Sequence, residues 1–256
     1  LCVDYRREAV AAPGGDDRWT EVPAGETVEI KRLGPNVLTL DYCDLKLDGK
    51  TVKDIYFYDA QLLTFKHHGL ERNPWDSAVQ YKTNIIDLDR FSPDSGFEAS
   101  FGFVCAGGAG LSTLMAVVER PDLFKVSVNG NEVAPVPGEW KLDKDFGVFD
   151  IGAFVGEGRN KIKLRAAPFT IHSELEPVYI LGDFSLRPAD RGFEIMPDGG
   201  IGFGAWPDQG FPFYADGVSY AKSFDLPTVD PLKDKYRVRL GGWLGAVAEI
   251  RVGEKT

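Results

Sequence analysis

Two stretches of the chain gather aromatic rings and polar groups closely enough for recognition chemistry. In HHGLERNPWDSAVQY, the residues His67, His68, Glu71, Arg72, Asn73 and Asp76 surround the indole of Trp75. In FGAWPDQGFPFYADG, the rings of Trp206, Phe211, Phe213 and Tyr214 stand among Gly, Pro, Asp208, Gln209 and Asp216. A flat ring offers an apolar face for stacking, while carboxylates, amides and guanidinium groups hydrogen-bond the polar groups of a ligand. The expected ligand contacts are therefore His68, Arg72, Trp75, Asp76, Trp206, Gln209 and Tyr214. Each stretch also has a plainer reading. The first is a self-satisfied insertion that packs Trp75 on a sheet and pairs Arg72 with a carboxylate. The second is an aromatic plug in the seam between two β-modules.

Bond-breaking chemistry would need two carboxyl groups at a set separation. HSELEP offers Glu174 and Glu176, and IIDLDR offers Asp87 and Asp89, each pair on one face if its segment is extended. A chain with 39 acidic residues contains such pairs as a matter of course. The expectation is therefore no catalytic residue, with Glu174 and Glu176 on a solvated rim. No phosphate-binding Gly loop, Cys/His dyad or nucleophile elbow supplies another chemistry. Adjacent His67 and His68 do not make a zinc site, because neighbours on a helix point about 100° apart and no HExxH accompanies them.

Composition narrows the partners. The formal net charge is −10 and no Lys/Arg block stands out, which argues against nucleic acid. No apolar run reaches the roughly 18 to 20 residues of a membrane-spanning helix, so no membrane partner is expected. At 256 residues, 43% hydrophobic and 27% charged, the chain can bury a substantial core. Cys2, Cys43 and Cys105 are too scattered for a disulfide framework or zinc site and read as buried free thiols. The chain opens on Leu1, and LCVDYRREAV lacks the pattern of a signal peptide, so the start reads as internal to a longer protein.

The elements that must position these residues are strands. TVEIK is a short strand, and NVLTLDYCDLKLDGK alternates Val37, Thr39 and Asp41 against Leu38, Leu40 and Tyr42 before turning at Asp48-Gly49 into VKDIYFY. From Asp59 to Ile86, Leu62, Leu63, Phe65 and Leu70 suit one or two short helices ended by Gly69 and Pro74. Beyond them FEASFGFVC, STLMAVVE, FKVSVNG, FGVFDIG and NKIKLRA follow at the rhythm of an antiparallel sandwich. Trp140 reads as a strand-edge residue and Trp243 as a core or interdomain plug.

A faint repeat aligns Gly96–Phe103 with Gly217–Phe224. The second copy ends at AEIRVGEKT, where Ala248, Ile250 and Val252 alternate as a strand and Gly253-Glu254-Lys255 turns toward no return strand. The expected organisation is a lead-in over residues 1–30, a sandwich over 31–188 and a second, incomplete β-module over 189–256.

The order of GFEASFGF, VSVNGNEV, FDIGAFVGEGRNKIKLRA and YILGDFSL resembles the galactose-binding-like jelly rolls of bacterial glycoside hydrolases. NVLTLDYCDLKLDGK, HHGLERNPWDSAVQY and PFYADGVSYAKSF further resemble β-sandwich regions of the large family 2 and family 106 (rhamnosidase-like) enzymes. The resemblance implies an all-β, antiparallel jelly-roll sandwich with a short helical insertion. It implies a non-catalytic carbohydrate-binding or accessory module, secreted, periplasmic or on the bacterial cell surface, whose partners are a polysaccharide or oligosaccharide and the catalytic domain of the parent chain. No cofactor is required, and a structural calcium is compatible with such folds, with Asp41, Asp44, Asp150 and Asp183 at hand and no ligand set assigned. The other readings are a structural domain that buttresses a catalytic barrel and a free-standing hydrolase.

Overall fold

A computed structural model describes residues 27–224 and 245–250. The chain divides into two compact units, Glu29–Tyr220 and a second made of Leu1–Val28 with Ala221–Thr256. The larger unit is a β-sandwich. The described residues begin with β1 (Thr27–Arg32), β2 (Asn36–Leu40), β3 (Tyr42–Leu47) and β4 (Lys50–Tyr56), and then enter the helix α1 (Phe57–His67). Strands β5 (Phe97–Cys105), β6 (Met115–Glu119), β7 (Lys125–Val128), β8 (Asn131–Val133), β9 (Phe146–Asp150) and β10 (Gly158–Ala166) follow. The last are β11 (Val178–Gly182), β12 (Ser185–Pro188), β13 (Phe193–Met196) and β14 (Val218–Lys222).

One sheet has four strands in the order β2-β11-β6-β9, all antiparallel. The other has eight, running β12-β13-β5-β10-β7-β8 with β3 and β4 joined at β5. Strand β5 pairs along its whole length with β10, from Phe97↔Ala166 to Cys105↔Gly158. Its other edge is shared by β3 and, at Val104 and Cys105, by the parallel strand β13. A further two-stranded sheet joins β1 and β14.

The core lies between the two large sheets and follows from period-2 alternation. Strand β5 buries Phe97, Ala99, Phe101, Phe103 and Cys105, and β10 buries Ile162, Leu164 and Ala166. Leu38, Ala116, Phe149 and Ile180 face them from the four-stranded sheet. Alternate residues of that sheet, Val117, Val148 and Leu181, form a smaller cluster with Val37, Phe146 and Tyr179. This sheet is therefore apolar on both sides. Cys43 and Cys105 are buried free thiols, and burial pushes their pKa values up to about 12 and about 11; Cys2 lies outside the described residues.

The hairpins expected at Asp48-Gly49 and Asn129-Gly130 are present, with positive φ at both central residues of each turn. The helical insertion is present too. Helix α1 buries Ala60, Gln61, Thr64 and Phe65 on one side, ends beside Gly69, and is followed by short 3-10 turns at Pro74–Asp76, Lys82–Asn84 and Ile86–Leu88. Trp140 makes a lone bridge to Gly147 and is half exposed, as a strand-edge residue should be.

Three expectations differ from the structure. The alternation through Leu38, Leu40 and Tyr42 shifts phase: after Leu40 the buried residues are Cys43 and Leu45. The cause is a change of sheet, since β2 pairs with β11 and β3 with β5.

The boundary expected at residue 188 falls inside the main unit. The hairpin of β12 and β13 straddles it, and the loop that follows docks back on β12, with Leu186 N–H donating to the Gly210 carbonyl at 2.8 Å. A side chain at Gly210 would lie 2.9 Å from the Ser185 Cβ, so this close approach needs glycine.

The repeat aligns β14 with β5, but Val218 is half-buried and Tyr220, Lys222 and Phe224 are exposed where Phe97, Ala99, Phe101 and Phe103 are buried. Residues 248–250 are exposed and form no strand, and the rest of the terminal segment and Trp243 lie outside the described residues.

Candidate functional site

A cleft of about 210 Å³ opens at one end of the four-stranded sheet, lined by Trp75, Glu119, Arg120, Asp145, His172, Glu174 and Glu176. Sheet order brings these residues together. Glu119 ends β6 opposite Phe146 at the start of β9, so Asp145 and Arg120 sit beside it, and the Arg120 N–H donates to the Asp145 carbonyl at 2.7 Å. Strand β11 starts at the same end, which brings in the loop from β10 that carries His172, Glu174 and Glu176.

The insertion supplies the remaining wall. Asn73 is fully buried and holds two cleft residues with one amide. Its Oδ1 accepts from the Trp75 backbone N–H at 3.0 Å, and its Nδ2 donates to Glu174 Oε1 at 2.7 Å. The Trp75 indole N–H donates to the Ile171 carbonyl at 2.7 Å, and the Ile171 N–H in turn donates to Asp89 Oδ1 at 2.9 Å. The indole therefore has no donor left for a ligand and offers only its ring, set 5.1 Å from the His172 ring at 39°.

The cleft is electrostatically frustrated. Burial first, then Glu119, Glu174 and Asp76, push the Glu176 carboxyl up to about 7. Burial likewise raises Glu119, with Glu174, Asp143 and Asp145 adding to it. Glu174 is raised by burial against the opposing hydrogen bond from Asn73. Arg120 does not neutralise them closely, because Nε and Nη2 both donate to Asp122, each at 3.1 Å.

A carboxyl whose folded pKa lies above its unfolded value loses stability as pH rises from about 4.3 through about 7. Glu176→Gln should match the parent protein at pH 4 and exceed its stability by about 1 kcal/mol at pH 8, after discounting for the solvent that a half-exposed group retains. Urea titration at both pH values checks this. Equal midpoints at pH 8 would mean that the carboxylate is fully hydrated.

The expected contacts divide. Trp75 lines the cleft, and Asp76 lies beside it, acting on Glu176 and accepting from the Tyr58 hydroxyl at 3.4 Å. Arg72 is exposed and forms none of the hydrogen bonds or ion pairs seen among the described residues. His68 serves packing instead: its ring stacks on Phe169 at 3.9 Å, its Nδ1 lies 2.7 Å from the Thr64 carbonyl oxygen, and burial lowers its pKa.

Trp206, Gln209 and Tyr214 lie apart from this cleft's lining and are spent internally. The Tyr214 hydroxyl accepts from the Leu33 and Gly34 N–H groups and donates to the Gly217 carbonyl at 2.7 Å, with the ring buried. Gln209 accepts from the Gly202 N–H and donates to the Phe203 and Ala205 carbonyls. The Trp206 indole donates to the Tyr220 hydroxyl at 3.1 Å, and Tyr220 stacks on the exposed ring of Phe203.

Of the carboxylate pairs, Glu174 and Glu176 do share the cleft, from an irregular loop rather than a strand. Asp87 pairs with Lys82 and Asp89 with the Ile171 N–H, so that pair is structural. Among the described residues no three His, Cys, Asp or Glu side chains converge to hold a metal ion. Glu119, Arg120, Asp145 and His172 escape sequence reading because three separated segments carry them and only strand order unites them.

No family model and no curated protein matches the sequence. Among solved structures, a β-glucuronidase from an uncultured Clostridium species aligns with a TM-score of 0.29 and 13% identity. The alignment covers 68% of this chain and 33% of that one.

Proposed function

We propose that the chain is a non-catalytic carbohydrate-binding or accessory module of a larger bacterial glycoside hydrolase, secreted, periplasmic or on the cell surface. Its ligand is a plant or host polysaccharide. The observation that carries this reading is the union of the Trp75 and His172 rings with several acceptor carboxylates in one cleft at a sandwich end. Rings cover the C–H face of a sugar and carboxylates take its hydroxyl donors, which is binding without bond chemistry.

A second reading is a β-domain that braces a catalytic barrel without touching sugar. It draws on the internal use of Trp206, Gln209 and Tyr214, and on the exposed apolar residues Val79, Tyr81, Ile86 and Leu88 of the insertion.

Calorimetric titration against a polysaccharide panel separates the two. Binding by the parent protein and at least a tenfold loss in His172→Ala, with an unchanged thermal midpoint, is the expected result. Heat with no saturation across the panel would favour the brace, and release of reducing sugar from any of the ligands would replace both readings with a hydrolase.

A further inference from the structure

We propose that the cleft at Trp75 is selective for basic sugars, so that its ligand is an oligosaccharide of hexosamines with unmodified amino groups. This deepens the carbohydrate-binding reading and rests on it.

The lining carries four carboxylates, Glu119, Asp145, Glu174 and Glu176, and none of them forms a salt bridge among the described residues. The one guanidinium in the wall, Arg120, is already forked onto Asp122. Where ionised, these carboxylates only accept hydrogen bonds, so a ligand that brings donors suits them. A hydroxyl brings one donor and no charge. A protonated amine brings three donors and a positive charge free to pair with these carboxylates.

The aromatic residues favour the same ligand. With its N–H spent on Ile171, Trp75 offers a π-face, and a cation near that face gains from the ring quadrupole. The His172 ring lies beside it at 5.1 Å, tilted by 39°. A bare metal ion suits the site poorly, because its acidic groups do not converge on one point. The volume of about 210 Å³ equals roughly seven waters at about 30 Å³ each, which is room for a sugar ring. A uronate or sulfated sugar would instead add negative charge beside these carboxylates.

Burial is the first cause of the raised pKa of Glu176, the neighbouring Glu119, Glu174 and Asp76 add to it, and a bound ammonium would oppose the shift.

The test is calorimetric titration of the full chain at pH 7 with four hexasaccharides: β-1,4-linked glucosamine, its fully N-acetylated form, the β-1,4-glucose analogue and an oligoglucuronate. The chain's net charge of −10 attracts any polycation weakly, so an Asp94→Asn/Asp190→Asn double variant, at two exposed sites outside the cleft, serves as control. The glucosamine oligomer should bind at least tenfold tighter than the N-acetylated and glucose forms. That preference should disappear in Glu174→Gln/Glu176→Gln and persist in the control.

Equal affinity for the amino and N-acetylated forms would overturn the inference while leaving sugar binding intact, as would tighter binding of the oligoglucuronate. Loss of the preference in the control variant would reduce it to bulk charge and overturn it as well. Silence from all four sugars, with binding of a simple diamine, would overturn both the inference and the carbohydrate reading.

Discussion

Truncating Phe169 to Ala should lower the free energy of unfolding by about 4 kcal/mol, seen as a lower urea midpoint with an unchanged slope. The ring is 1% exposed and meets four aromatic neighbours. Phe65 of α1 meets it edge-on at 5.5 Å, His68 stacks at 3.9 Å, Phe91 stands edge-on at 4.7 Å and Phe97 of β5 lies tilted at 6.4 Å. Burying a ring of this size accounts for much of the effect, and each well-placed ring pair adds about 0.5 to 1.5 kcal/mol.

Phe169 also sits in the loop that carries His172, Glu174 and Glu176, and its backbone N–H donates to Ser95 Oγ at 3.1 Å. Loss of the ring should therefore weaken any cleft ligand as well as the fold. Phe169→Leu, which keeps part of the volume, should cost about half as much. A midpoint unchanged in both variants would show that the loop is held by its hydrogen bonds alone.

The second large effect is expected at Asn160, 5% exposed at the foot of β10. Its Nδ2 donates to the Gly156 and Gly158 carbonyls at 2.7 and 3.1 Å, and its Oδ1 accepts from the Gly156 N–H at 3.0 Å and from Asn129 Nδ2 at 2.8 Å. Asn129 extends the network, donating also to the Phe154 carbonyl and accepting from the Lys161 N–H. One amide thus closes the turn into β10 and ties it to the β7–β8 hairpin.

Asn160→Ala should cost about 3 kcal/mol, because it removes four hydrogen bonds of one buried amide at once. Asn160→Asp should fare no better, since a carboxylate loses both donors while facing two carbonyl oxygens. Guanidinium unfolding of both variants checks this. A cost under about 1 kcal/mol would mean that water replaces the amide.

Much of this architecture is legible in the sequence because its signals are local. Asp48-Gly49 and Asn129-Gly130 announce their hairpins, since both central positions need positive φ. The alternation in FEASFGFVC announces β5, whose buried residues match it throughout. Trp75 stood out as an indole among polar groups, and Glu174 with Glu176 as a carboxylate pair.

The remainder is set by long-range pairing. Glu119 gives no sign that it will meet Glu176, because the register of β6 against β11 decides it. Tyr214 looks like a ligand platform in a loop rich in Gly and Pro, and only the approach of Leu33, Gly34 and Gly217 shows its hydroxyl to be a structural clasp. The phase shift at Asp41 is hidden because a strand that changes sheets keeps its polar and apolar pattern on both sides of the bend.

That crossing from β2 to β3 has a kinetic consequence. The short connection puts one end of a continuous segment in each sheet, so neither sheet can mature while the other remains open. Strand β2 must also wait for β11, and the Asn36 amide finds the Phe184 carbonyl 148 residues away in sequence. Closure of so long a loop precedes any gain from the pairing, which places refolding in the millisecond-to-second range of topologically non-local β-proteins. Until β11 is synthesised, Leu38 and Leu40 have no partner strand on that side, and a nascent chain stalled before residue 178 leaves that edge open to aggregation.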